Sequence, residues 1–234
     1  MADWSCFVDE PDYHDPEVAE ADGYRNIPLP PGALSLIAVA TEALDVLPAD
    51  GPLRRSWRST RPVVVGERLY LTVVQQDGSV SGEFSTAAGE LVAWETLSVA
   101  EDPSPVERGA PVFATGVIDA TRRRALAWSV SQLRPDGSWR WGAEPAAVAD
   151  LCWRLIAPGL VAARAAVTGA DAARRIREIE VSANGSLDAG SALVAESLFR
   201  APGRTDLSIV VGDHLFARAT VMDSEPDQQG QRGA

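Results

Sequence analysis

The chain contains no lysine. Its 21 basic side chains are all arginine, and against 33 aspartates and glutamates they leave a net charge of −12 over 234 residues. That balance argues against a nucleic-acid partner, whose phosphates need a basic face. Cysteine is nearly absent too: Cys6 and Cys152 cannot build a disulfide framework. With only two histidines, His14 and His214, no Cys/His cluster has metal-ligand spacing. No segment approaches the ~18 uninterrupted apolar residues of a membrane span. The opening "MADWSCFVDE" lacks both a basic n-region and an apolar h-region. Also missing are a G-x-S-x-G elbow, a Walker loop and a G-x-G-x-x-G turn after a strand. These absences lead to the expectation of a cytoplasmic chain without metal or cofactor, with no membrane and no nucleic acid among its partners.

What is present is apolar enough, at 46%, to build a core, and it is organised twice. "PPGALSLIAVATEALDVL" places Leu34, Ile37, Ala38, Thr41 and Leu44 at helical spacing behind a Pro31-Gly32 start. Residues 61–100 follow with β-branched runs punctuated by Gly66-Glu67, Asp77-Gly78 and Ala88-Gly89, the turns of an antiparallel meander. After a Pro-rich linker, "LIAPGLVAARAAV" repeats the Pro-Gly helix start, and residues 176–222 repeat the strands. Gly32 and Gly159 lie 127 positions apart, Gly66 and Gly190 124, Val99 and Val221 122. The reading is a duplicated unit: residues 1–101, a linker over 102–111, residues 112–222, and a polar tail over 223–234 expected to be disordered. The first copy is expected to be truncated at its front edge.

One apolar helix wrapped by an antiparallel meander is how a hotdog domain looks. Two in tandem give an α+β double hotdog, expected as two antiparallel sheets, each around a long central helix, with helices opening near Gly32 and Gly159. Three stretches then resemble the MaoC-like dehydratase/hydratase family. "YHDPEVAEADGYRNIPLPPG" is similar to that family's G-D-x-N-P-[LI]-H-x-D-P-E-x-A block and the proline-glycine turn after it. "LIAPGLVAARAAV" is similar to the same turn and helix, and "RPVVVGERL" to the strand block R-P-V-x-x-G-D-x-L. The resemblance spans about residues 5 to 222. It implies an acyl substrate carried as a coenzyme A or acyl-carrier-protein thioester, and a homodimer or a heterodimer with another hotdog protein.

It also implies site residues. Backbone N–H groups at the start of each central helix, Gly32–Ala33 and Gly159–Leu160, would hold the thioester carbonyl, since a helix N-terminus offers orphan donors to an oxyanion. An Asp/His pair at D-x4-H spacing would move the protons, histidine having a pKa near working pH. Two registers compete. Counted back without a gap from "DPEVA", the family's aspartate and histidine fall on Val8 and Tyr13, and the dyad is gone. With a one-residue deletion, Asp9 and His14 restore it. The candidate acid–base residues are therefore Asp9, Asp12, Tyr13 and His14. In the second copy Gln132 and the pair Trp139 and Trp141 occupy the dyad positions, the tryptophans lining or plugging the pocket. His214, in "VVGDHLFARA", reads as a surface residue beside a hairpin turn.

Three arginine clusters, at 54/55/58/61, 122–124 and 174/175/177, could pair with coenzyme phosphates or an acidic carrier. The plainer reading is solvated arginines balancing nearby acids. The implied activity is a lyase of the 3-hydroxyacyl-thioester dehydratase or enoyl hydratase type, or an elimination, isomerisation or cyclisation derived from it in lipid or polyketide metabolism. The alternative is a non-catalytic acyl-binding pseudoenzyme or heterodimer subunit.

Overall fold

The structure, a computed structural model, describes residues 16–21, 23–35, 46–48, 51–101, 108–115, 150–166, 176–184 and 192–223. It opens with helix α1 (Pro16–Ala21) and strands β1 (Leu53–Ser59), β2 (Tyr70–Gln76), β3 (Ser79–Ser85), β4 (Leu91–Val99) and β5 (Ala110–Ala114). A π-helical turn (Cys152–Ile156) then runs into helix α2 (Ala157–Ala166). Strands β6 (Ile176–Ala183), β7 (Val194–Ala201), β8 (Arg204–Val211) and β9 (His214–Asp223) complete the chain order.

Turn chemistry sets the hairpins. Gln76 pairs with Ser79 across a two-residue Asp77-Gly78 loop, and Gly78 takes a φ of 71° that a side chain would resist. Val211 pairs with His214 across Gly212-Asp213, and His214 is exposed beside that turn as expected. β5 opens at Ala110, inside the stretch read as linker, and Asp223, read as the first residue of the tail, closes β9.

The nine strands among the described residues form one antiparallel sheet, ordered β2-β3-β4-β1-β6-β9-β8-β7-β5. The two antiparallel sheets expected, one from each copy, meet edge to edge through β1 and β6. β1 pairs with β6 from Leu53↔Ala183 to Arg58↔Glu178, so each strand satisfies N–H and C=O groups that an edge would leave bare. On the outer face Arg54 reaches Glu180 at 3.1 Å and Arg58 reaches Glu178 at 2.8 Å, both across this junction. These two arginines balance acids, as the plainer reading of their cluster had it. On the inner face Leu53, Trp57, Ile179 and Val181 are buried.

The repeat is visible in the registers. Arg55↔Leu97 and Trp57↔Glu95 in β1–β4 correspond to Ile179↔Val221 and Val181↔Ala219 in β6–β9, all eight inward-facing and buried. Beneath the second half, α2 packs on β5 to β9. This helix does not open at Gly159, because helical structure is already present at Asp150. The π turn, in which the Ala157 N–H donates to the Cys152 carbonyl, carries the chain past Pro158. A proline has no N–H and would clash with an ordinary i−4 carbonyl, a conflict that the wider turn relieves. The helix expected to open near Gly32 lies largely in residues 36–45, outside the described residues, and Leu34 and Ser35 are not helical. Among the described residues, no helix is long and apolar enough to cross a membrane.

Candidate functional site

The segment before the first central helix is shaped by prolines and pinned to the sheet. Pro16 occupies the first position of α1, and the chain leaves that helix through Gly23, whose N–H donates to the Glu20 carbonyl at 2.9 Å. Residues 27–29 then run antiparallel to 63–65. The Leu29 N–H donates to the Val63 carbonyl at 2.7 Å, and the Val65 N–H to the Ile27 carbonyl at 2.8 Å. Pro30-Pro31-Gly32-Ala33 closes a β-turn in which the Ala33 N–H donates to the Pro30 carbonyl at 3.0 Å. Proline at the second position and glycine with a φ of 78° at the third are the signature of a type II turn.

That turn ends over a polar cluster in the middle of the molecule. Arg55 on β1 and Glu95 on β4 are both fully buried, and the Arg55 Nε donates to Glu95 Oε1. Arg55 Nη2 donates to the Gly32 carbonyl at 2.6 Å and lies 3.5 Å from that of Leu34. The Ser35 hydroxyl sits 2.8 Å from both oxygens of Glu95. A buried pair of this kind survives only when hydrogen bonds satisfy its remaining groups. Among the described residues Arg55 Nη1 has no hydrogen-bond partner, although it is buried. It stands 3.4 Å from where a Cβ would lie on Gly32, and 3.4 Å from where one would lie on Gly159.

A cleft lies beside this cluster, lined by Pro28 to Pro31, Leu34, Trp57, Val63 and Ile176, with Arg61 and Arg177 also on its wall. Trp57 is 4% exposed and its indole N–H has no partner. Arg61 is held by Glu67 and Glu90, and the Arg61 hydrogen bond keeps the Glu67 carboxyl below its ordinary value. Cys152 lies near the Arg55–Glu95 pair, but burial pushes its thiol up to about 12. A thiol so protonated is no nucleophile.

The sequence-expected residues divide as follows. Gly32 and Gly159, one from each copy, both lie close to Arg55 Nη1. The Ala33 N–H is used by its own turn. Gly159 and Leu160 lie within a helix already formed at Asp150, where backbone N–H groups serve the preceding turn rather than a ligand. Asp9, Asp12, Tyr13, His14, Trp139 and Trp141 lie outside the described residues, as do Arg122 to Arg124, Arg174 and Arg175. Glu95, Ser35 and Trp57 were not singled out as site residues, and Arg55 only as one member of an arginine cluster. The signal for them was strand periodicity: in "LRRSWRS" Leu53 and Trp57 face inward, so Arg55 between them must as well.

No protein-family model matches the chain, and no curated protein matches it. Solved structures do. A conserved hypothetical protein from Mycobacterium tuberculosis, described as having a double hotdog fold, aligns over 94% of this chain and 90% of its own. Its identity to this chain is 13% and the TM-score is 0.50. HtdX from the same organism aligns over 88% of this chain and 93% of its own, at 14% identity and a TM-score of 0.47. A MaoC-like dehydratase from Phytophthora capsici aligns over 77% and 74%, at 14% identity and 0.49. At such identities the likeness is one of fold, and the fold is the double hotdog.

Proposed function

We propose that this chain binds an acyl chain as its coenzyme A or acyl-carrier-protein thioester, in the cleft between the Pro28–Pro31 wall and the inner face of β1. The observation that carries the reading is a cleft walled by Pro28 to Pro31, Leu34 and Val63, with the Trp57 side chain on its lining, beside the Gly32 turn. An acyl tail suits proline- and leucine-lined walls. The motif resemblance of residues 13–32 supports dehydratase/hydratase-type chemistry, or an elimination, isomerisation or cyclisation derived from it. In the first form a base takes the α-proton while the β-hydroxyl leaves with a proton as water, and Asp9 and His14 are the pair assigned to those transfers.

Incubation with 3-hydroxyacyl and enoyl thioesters of several chain lengths, read by mass spectrometry, tests this directly. Loss or gain of one water is the expected result. His14→Ala is expected to lower turnover roughly 10²- to 10⁴-fold with the fold intact, and Asp9→Asn to act non-additively with it. The second reading, a non-catalytic acyl-binding subunit, is favoured by Gln132, Trp139 and Trp141 at the dyad positions of the second copy. Binding of thioesters without conversion, unchanged by His14→Ala, would select it.

A further inference from the structure

We infer that β2 is an interface strand: it pairs antiparallel with β2 of a second copy of this chain, about a two-fold axis at Thr72, and carries the sheet across both molecules. None of the residues involved lines the cleft, so this pairing stands apart from the acyl-binding reading.

The two copies of the unit hold mirrored places in the sheet, β2-β3-β4-β1 on one side and β7-β8-β9-β6 on the other. In the second, β7 is covered on its outer side by β5, from Ala110↔Ser197 to Ala114↔Val194. In the first, β2 is the counterpart of β7, and among the described residues it pairs with β3 alone. One side of β2 thus presents backbone donors and acceptors where the second copy has a strand.

The two ends of the sheet are also built differently. β5 is five residues long, contains Pro111, and shifts its register with β7 between Pro111 and Phe113. Shortness, proline and a bulge are the usual protections of an edge against a further strand. β2 has none of them. Its seven residues, "YLTVVQQ", hold no proline and no charge, and they pair with β3 without a shift from Tyr70↔Ser85 to Gln76↔Ser79. In a chain of net charge −12 a second copy is repelled in general, and a strip without charge is where it can approach.

The side chains select the partner. Leu71 and Val73 pack towards the core, so Tyr70, Thr72 and Val74 face outward, and Tyr70 and Val74 are 53% and 50% exposed. Opposed residues of an antiparallel pair share a face, so a strand meets its own copy about a residue and never between two. About Thr72, Tyr70 of each copy opposes Val74 of the other, Leu71 opposes Val73, and Thr72 opposes Thr72. Aromatic–β-branched, aliphatic and threonine pairs are the kinds that stabilise neighbouring strands. About Val73 instead, Tyr70 and Leu71 would oppose the amides of Gln76 and Gln75. With β5 blunted, the two-fold pair closes and the sheet does not propagate. Two strands of this length hide less than the ~1,000 Å² of a stable interface, so the dimer is reversible.

Sedimentation velocity of the full chain from about 5 to 500 µM tests the pairing, with a dissociation constant expected on the order of 10–100 µM. Thr72→Lys sets two ammonium groups face to face on the axis. It should weaken the dimer at least ~10-fold while leaving circular dichroism and melting temperature of the monomer unchanged. Register is read separately by cysteine pairing in a Cys6→Ser background, where the remaining native thiol, Cys152, is buried. Thr72→Cys should cross-link to its own copy under mild oxidation, because opposed Cα atoms lie ~4.5–5.5 Å apart. Gln76→Cys, also exposed on β2, should not, because in this register its copy lies roughly 27 Å away along the strands. A chain monomeric throughout the range, a dimer untouched by Thr72→Lys, or cross-linking of Gln76→Cys as ready as that of Thr72→Cys overturns the inference. Each of these outcomes leaves the acyl-thioester reading standing.

Discussion

The two copies of the unit differ most where their sheets join. In the first, the inward positions of β1 and β4 carry Arg55, Trp57 and Glu95. In the second, the same register positions of β6 and β9 carry Ile179, Val181 and Ala219. The backbone pairing is preserved while an ion pair on one side is matched by hydrocarbon on the other. The lesson is that the register does not need the charges: β6–β9 forms the same ladder without them. Buried ion pairs are weak sources of stability because desolvation offsets their attraction. Arg55 and Glu95 therefore have to be explained by what they hold in place, namely the Gly32 turn and Ser35.

Breaking one side of this pair is expected to have the largest effect. Arg55→Met would take the guanidinium away from a carboxylate buried in the core, costing about 3–5 kcal/mol. Thermal and urea unfolding should both show it. Arg55→Met combined with Glu95→Leu makes the first copy as apolar as the second, and should recover most of that loss. A double variant no more stable than the single would mean that the polar pair is needed for the fold, and the comparison would fail.

The two glycines sharpen the same contrast with opposite signs. Gly32→Ala forces a side chain into a left-handed conformation and against Ile179, and should destabilise by about 1–2 kcal/mol. Gly159→Ala, inside a helix and clear of its neighbours, should stabilise by roughly 0.5–1 kcal/mol. Melting temperatures that move in opposite directions in the two variants would bear this out.

A smaller effect is expected at the junction between copies. Arg58→Ala removes an exposed cross-strand pair with Glu178 and should cost less than about 1 kcal/mol, with the loss shrinking at high salt. Smallest is the acid response. The carboxyls of Glu67 in the first copy and Glu196 in the second are held below the ordinary value of 4.5 by hydrogen bonds from Arg61 and Arg108. Their stabilisation is present above about pH 4.5 and is lost as pH falls through their lower folded values. Glu67→Gln and Glu196→Gln should each flatten the acid limb of a stability-against-pH curve slightly, by lowering its neutral-pH plateau while leaving stability at low pH little changed.

Much of the fold could be read from local pattern. The Asp77-Gly78 and Gly212-Asp213 hairpins follow from residues that alone suit such turns. The strands follow from alternation, and the duplication from the recurrence of Pro-Gly before each apolar segment. Two readings missed because each treated a local signal in isolation. Pro158-Gly159 resembles a helix start, yet a π turn lets an existing helix absorb the proline. Arg54, Arg55, Arg58 and Arg61 look like one basic patch, yet a strand puts successive residues on opposite faces, so Arg54 and Arg58 meet solvent and Arg55 does not.

The sequence alone determined that this chain duplicates a helix-and-meander unit, where its hairpins turn, and which family's motifs it resembles, because those properties depend on neighbours a few residues away. Only the tertiary structure decided that the two sheets are one. It also decided that Gly32 and Gly159 both approach the guanidinium of Arg55, and that this arginine is buried against Glu95. Those features depend on the pairing of β1 with β6, a contact between residues more than a hundred positions apart in the chain. Local propensity has no means of expressing such a contact, and burial is what gives it its chemical consequence.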